Sequence, residues 1–69
     1  MNRYTAVVKK DGDFWIGWAE EVPGVNAQES SREELLASLK VVLQEALEMN
    51  RAGARAAAGG AYEELALAL

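Results

Sequence analysis

The chain reads as an α+β fold of order β-β-β-α-β, a small sheet with one long helix across one face. Three observations predict it. Short apolar runs flank Asp11-Gly12, a capping signal at Ser31 opens a long amphipathic stretch, and leucines alternate at period two after Gly59-Gly60.

At 69 residues the chain is expected to form a single domain, 1–69, near the lower size at which one core sustains a fold unaided. A partner chain is an economical way to bury more surface, so a homo-oligomer is expected. There is no Cys and no His, which removes disulfides, thiolate and imidazole metal sites and every Ser-His or Cys-His nucleophile pair. No cofactor and no enzymatic activity are expected. Eleven acids against seven bases give a net charge of −4. That balance opposes a phosphate backbone and suits a basic protein partner. The start, MNRYTAVVKKDGD, has no long apolar run. No signal peptide, no membrane span and a cytoplasmic location are therefore expected.

The first strand runs over Arg3 to Lys9, where Tyr4, Thr5, Ala6, Val7 and Val8 favour a pleat. Asp11-Gly12 supplies the positive φ angles of a type I′ hairpin turn. With those two residues as the loop, Lys10 faces Asp13, Val8 faces Trp15, Ala6 faces Gly17 and Tyr4 faces Ala19. One face then carries Tyr4, Ala6, Val8, Trp15 and Gly17, and the other Thr5, Val7, Phe14, Ile16 and Trp18. Both faces are apolar, which exceeds what one helix can cover, because an antiparallel sheet usually leaves one face to water. The second face calls for a second chain. Gly17, among large neighbours, marks either a slot for a packed side chain or a point of close approach.

Glu20 to Val25 turns the chain, with Pro23 fixing one φ and Gly24 free to take a positive one. Asn26 to Glu29 follows as a short polar edge strand whose outer backbone groups are open to another chain. Asn26, Gln28 and Glu29, with Trp15, Gly17 and Trp18, are the candidate interface residues of the sheet. Ser31-Arg32-Glu33-Glu34 is a capping box: the Ser31 hydroxyl takes the Glu34 amide, and the Glu34 carboxylate reaches back to the Ser31 amide. Leu35, Leu39, Val42, Leu43, Ala46 and Leu47 form one apolar stripe from there. Leu36 and Val41 lie off the stripe and join the candidate interface. The helix reaches at least Asn50 and continues through Ala-rich sequence until Gly53 or Gly59-Gly60 ends it. Tyr62 to Leu69 places Leu65, Leu67 and Leu69 on one side at period two, which favours a fourth strand, although leucine and alanine are not strong strand formers and leave a helix open here. A right-handed crossover would set it parallel to the first, in order 3-2-1-4.

The acids Asp11, Asp13, Glu20, Glu21, Glu29, Glu33 and Glu34 could be tested as paired carboxylates. Their spacing brings no two into a shielded cleft, and turn or cap roles account for four of them. They read as solvated surface. The glycine segments lack the pattern and the basic residue of a phosphate loop. Trp15, Trp18 and Tyr4 lack the interleaved cations of a nucleic-acid stacking platform.

In order and spacing, these motifs resemble the N-terminal domain of the HicB-type antitoxins. The features are Tyr4 to Lys9 as a strand, the turn Lys10-Asp11-Gly12-Asp13, the strand Phe14-Trp15-Ile16-Gly17-Trp18, then Glu21-Val22-Pro23-Gly24, Gln28, and Ser31 with Glu33-Glu34. Tyr62 to Leu69 resembles the family's last strand. The resemblance implies a partial ribonuclease-H-like fold without nuclease residues, self-association, and masking of a small basic HicA-type toxin that cleaves mRNA. Two features depart from the pattern. Glu29-Ser30 stands where the family usually has Gly-Asp, and no DNA-binding segment follows Leu69, so operator binding is not expected.

Overall fold

The computed structural model describes residues 3–68. Three strands, β1 (Ala6–Asp11), β2 (Phe14–Ala19) and β3 (Asn26–Glu29), precede one helix, α1 (Arg32–Ala58). The strands form an antiparallel sheet in the order β1-β2-β3. The fold is therefore α+β, a three-stranded sheet with one long helix across one face.

The hairpin closes one residue later than the sequence predicts. Asp11 pairs with Phe14 and Lys10 with Trp15, so Gly12 and Asp13 form the loop. A type I′ turn at Asp11-Gly12 would demand positive φ at both residues, and Asp11 is spared that strain. Gly12 alone takes it, at φ 62°, and among the described residues only glycines have a positive φ. A glycine at the first central position is the type II′ signature. Each β1 residue thus meets a β2 partner two places further along than expected. A shift of two preserves the pleat, so every side chain stays on its predicted face.

Val22-Pro23-Gly24-Val25 is a type II turn, with the Val25 amide donating to the Val22 carbonyl at 3.3 Å and Gly24 at φ 88°. The turn brings Val22 and Val25 to the same side, where they join Leu35 and Leu39 as the buried core. Val8, Trp15, Ala19 and Ala27 from the sheet, and Val42, Leu43, Ala46 and Leu47 from α1, pack around these four. The covered face is thus the one carrying Ala6, Val8, Trp15 and Gly17.

Gly17 is buried beneath the helix. A methyl group there would stand 3.0 Å from the Val7 carbonyl oxygen, 3.0 Å from Val8 Cγ1 and 3.1 Å from Leu39 Cδ1. Its missing side chain is the slot that receives Leu39. The structure gives this glycine both roles that the sequence allows, a slot for Leu39 and a close approach of the Val7 backbone.

Ser31 caps α1 with extended backbone, and its Oγ accepts the Glu34 amide at 3.1 Å. The Glu34 carboxylate does not close the box on the Ser31 amide. Its Oε1 instead accepts the hydroxyls of Ser31 and Ser30, both at 2.9 Å. Ser38 Oγ donates to Glu29 Oε2 at 2.6 Å, tying the second turn of α1 to β3.

The fourth strand is not formed among the described residues, and the order 3-2-1-4 shortens to 3-2-1. Leu69, the last residue of that expected strand, lies outside the described residues. Two physical reasons account for the difference. Leucine and alanine are weak strand formers, so alternation alone does not hold them in a pleat. The helix also passes through Gly53 to Ala58, making 27 residues, about 40 Å at 1.5 Å per residue, against about 20 Å for a six-residue strand. Residues 48–58 are exposed throughout, so the last three turns overshoot the sheet and carry the tail away from the β1 edge. Gly59 ends the helix at φ 77°, its amide donating to the Ala56 carbonyl. Residues 60–68 are irregular and exposed.

Candidate interaction site

Two apolar surfaces remain open, and each follows from the pleat. The first is the sheet face opposite α1. Val7, Phe14, Ile16 and Trp18 point to it by alternation, and β3 adds Asn26 beside Trp18 and Gln28 beside Ile16. Phe14 is 48% exposed and Trp18 40%, while Val7 and Ile16 are half-buried. Lys9 and Asp11 lie on the same face and are exposed. The result is an apolar strip with a polar border, and none of the described residues covers it.

The second is a groove of about 220 Å³ between β1 and α1, lined by Tyr4, Thr5, Ala6, Ala19, Leu36, Leu39, Lys40 and Leu43. It exists because the helix lies over β2 and β3 rather than over β1. The outer edge of β1 is also unpaired, since β1 is the end of the sheet. Every second residue of such an edge turns its backbone donor and acceptor to solvent.

The sequence-predicted interface residues fall into separate places. Trp18, Asn26 and Gln28 gather on the open face. Trp15 and Gly17 lie on the covered face, where Trp15 packs against the core and holds Lys10 Nζ at 5.9 Å from its ring centre. Glu29 also lies toward the helix, occupied by Ser38. Leu36 lines the groove, and Val41 is exposed on the helix. Tyr4, Ala6, Lys40 and Leu43 complete a surface the sequence alone does not assemble, because it depends on where the helix settles across the sheet. Of the turn and cap residues, Asp11 and Gly12 close the hairpin, Pro23 and Gly24 the second turn, and Ser31 and Glu34 the helix start.

The electrostatics are local. Glu21 Oε1 accepts the Thr5 amide at 2.8 Å, which holds its carboxyl below the ordinary 4.5. That bond, with the Glu20 amide donating to the Thr5 carbonyl at 2.9 Å, clamps the entry of β1 to the exit of β2. Glu34 is likewise lowered, first by the Ser31 hydroxyl and then by Ser30. Arg55 Nε donates to Glu64 Oε1 at 2.7 Å, an exposed pair. Among the described residues no group of three acids converges as a metal site would require. No helix is long and apolar enough to cross a membrane. What the open face and the groove offer is shape and apolar contact.

Compared with protein-family models, curated proteins and solved structures, the chain matches none.

Proposed function

We propose that this chain is a non-enzymatic, cytoplasmic binding module of the HicB type, which neutralises a small basic HicA-type ribonuclease by covering it. The observation that carries the reading is the open apolar face of Phe14, Ile16 and Trp18 on a chain of charge −4. An apolar strip with a polar border is the anatomy of a protein-binding surface. The net negative charge of the chain would steer a basic partner toward it and oppose nucleic acid. Aromatic residues at such a centre commonly carry most of the binding energy.

The experiment is co-purification at low salt with the basic chain encoded in the adjacent reading frame. A complex whose affinity falls with added salt, and falls further in Trp18→Ala, is the expected outcome. Absence of any complex at low salt would sink the proposal.

A second reading, a self-associating module with no toxin partner, is favoured by a separate observation. The groove beside β1 and the exposed leucines of the tail are both unsatisfied within one chain. Sedimentation at micromolar concentration tests it, and a monomer there counts against it.

A further inference from the structure

The tail and the β1 edge have complementary deficits. Leu65 is 76% and Leu67 88% exposed, at the period of a pleated strand. Both would be turned to one side if the tail were extended, with Glu64, Ala66 and Ala68 on the other. Among the described residues the β1 edge offers unpaired backbone groups, and the apolar groove next to it has no occupant. Leucine side chains are what such a groove accepts. The charges also match, because Glu63 and Glu64 precede the leucines while Lys40 lines the groove.

The chain does not bring these two features together within itself. Residues 48–58 run about 16 Å past the last packed turn of α1, and Arg55 holds Glu64 beside that projecting end. The tail therefore leaves the body of the domain at the pole of a molecule extending 50 × 23 × 15 Å. A second copy placed against that projecting end would meet the tail where the first copy cannot use it.

We propose that two copies exchange their tails. Residues 62–68 of each lie along the β1 edge of the other, adding a fourth strand in trans and seating Leu65 and Leu67 in the groove of Tyr4, Ala6, Leu36, Leu39 and Leu43. The contact is isologous and so closes at a dimer. It uses strand addition for affinity and the groove for register. The inference deepens the self-association reading and rests on it, independently of any toxin.

The absence of cysteine makes the test direct. Full-length Ala6→Cys chains are mixed with full-length Leu67→Cys chains of different mass and oxidised. The expected dominant product is the mixed disulfide, in excess over both symmetric ones. A chain carrying both substitutions that closes on itself as a monomer, with no mixed product between singly substituted chains, overturns the exchange. Sedimentation gives the second arm. The wild-type chain is expected to dimerise, and Leu65→Glu with Leu67→Glu to raise the dissociation constant about a hundredfold. Both leucines are exposed in the single copy, so helicity measured by circular dichroism should be unchanged. A dimer that survives the leucine substitutions but dissolves in Phe14→Glu would assign self-association to the open sheet face and overturn the proposal. A wild-type monomer would overturn it together with the self-association reading, whereas a missing toxin complex would leave it intact.

Discussion

Gly17 carries the tightest packing constraint in the chain. It sits in the middle of β2, where a side chain would ordinarily strengthen a strand, yet its neighbours are a backbone carbonyl and two core side chains at about van der Waals limit. The Val7 oxygen cannot rotate away, so Gly17→Ala should destabilise the fold by about 1–3 kcal/mol, read as a lower midpoint in urea denaturation. Glu21 and Glu34 set the response to acid. Each carboxyl is lowered from its ordinary 4.5 by hydrogen bonds present only in the folded chain, so the folded state holds its protons less tightly than the unfolded one. The stability they contribute is complete above pH 4.5 and is lost as pH falls through the lower folded values. Thermal melts should show Tm falling below pH 4.5, and Glu34→Gln should flatten that slope. The sequence marks Glu34 as a capping residue because Ser and Glu are three apart. It cannot say that two serine hydroxyls, rather than one amide, would claim the carboxylate.

At the scale of elements, periodicity determines kind and position. β2, β3 and the start of α1 are legible in the sequence because apolar spacing, a Pro-Gly turn and a cap agree with one another. The hairpin register is two residues from expectation because Asp-Gly and Gly-Asp overlap in Lys10-Asp11-Gly12-Asp13, and local chemistry favours the turn in which only glycine bears a positive φ. The candidate groove was legible only in part: Tyr4 and Ala6 share a face by alternation and Leu36 is visible as an apolar residue off the stripe, but nothing in the spacing sets these beside one another or adds Lys40 to them. The C-terminal third of α1 is held by alanine propensity, since it packs against nothing. Gly53 is the weak point there, with open space where a Cβ would sit. Gly53→Ala should therefore stabilise that stretch by about 0.5–1 kcal/mol. The change should appear as greater helicity and slower amide exchange over residues 48–58, with little movement of the global midpoint.

At the scale of the molecule, four buried apolar side chains make a thin core, and a domain of this size has little stability to spare. Leu35 is wholly inaccessible, so Leu35→Ala should cost about 2–5 kcal/mol and leave the chain largely unfolded at ambient temperature by circular dichroism. Association is the available reserve. If copies exchange tails, unfolding is coupled to dissociation, and Tm should rise with protein concentration. Differential scanning fluorimetry across about a hundredfold concentration range measures this, and a Tm independent of concentration describes a monomer.

The order of three strands and a capped helix, the sidedness of each strand and the acidic surface were all settled by residues near one another in the chain, because periodicity, caps and turns act over a few positions. Which sheet face the helix covers, that Gly17 receives Leu39, that Val22 and Val25 complete the core, and that the tail remains unpaired were settled by packing. Those outcomes depend on how far a helix extends and where it rests across a sheet, and residues distant in sequence bear on both at once.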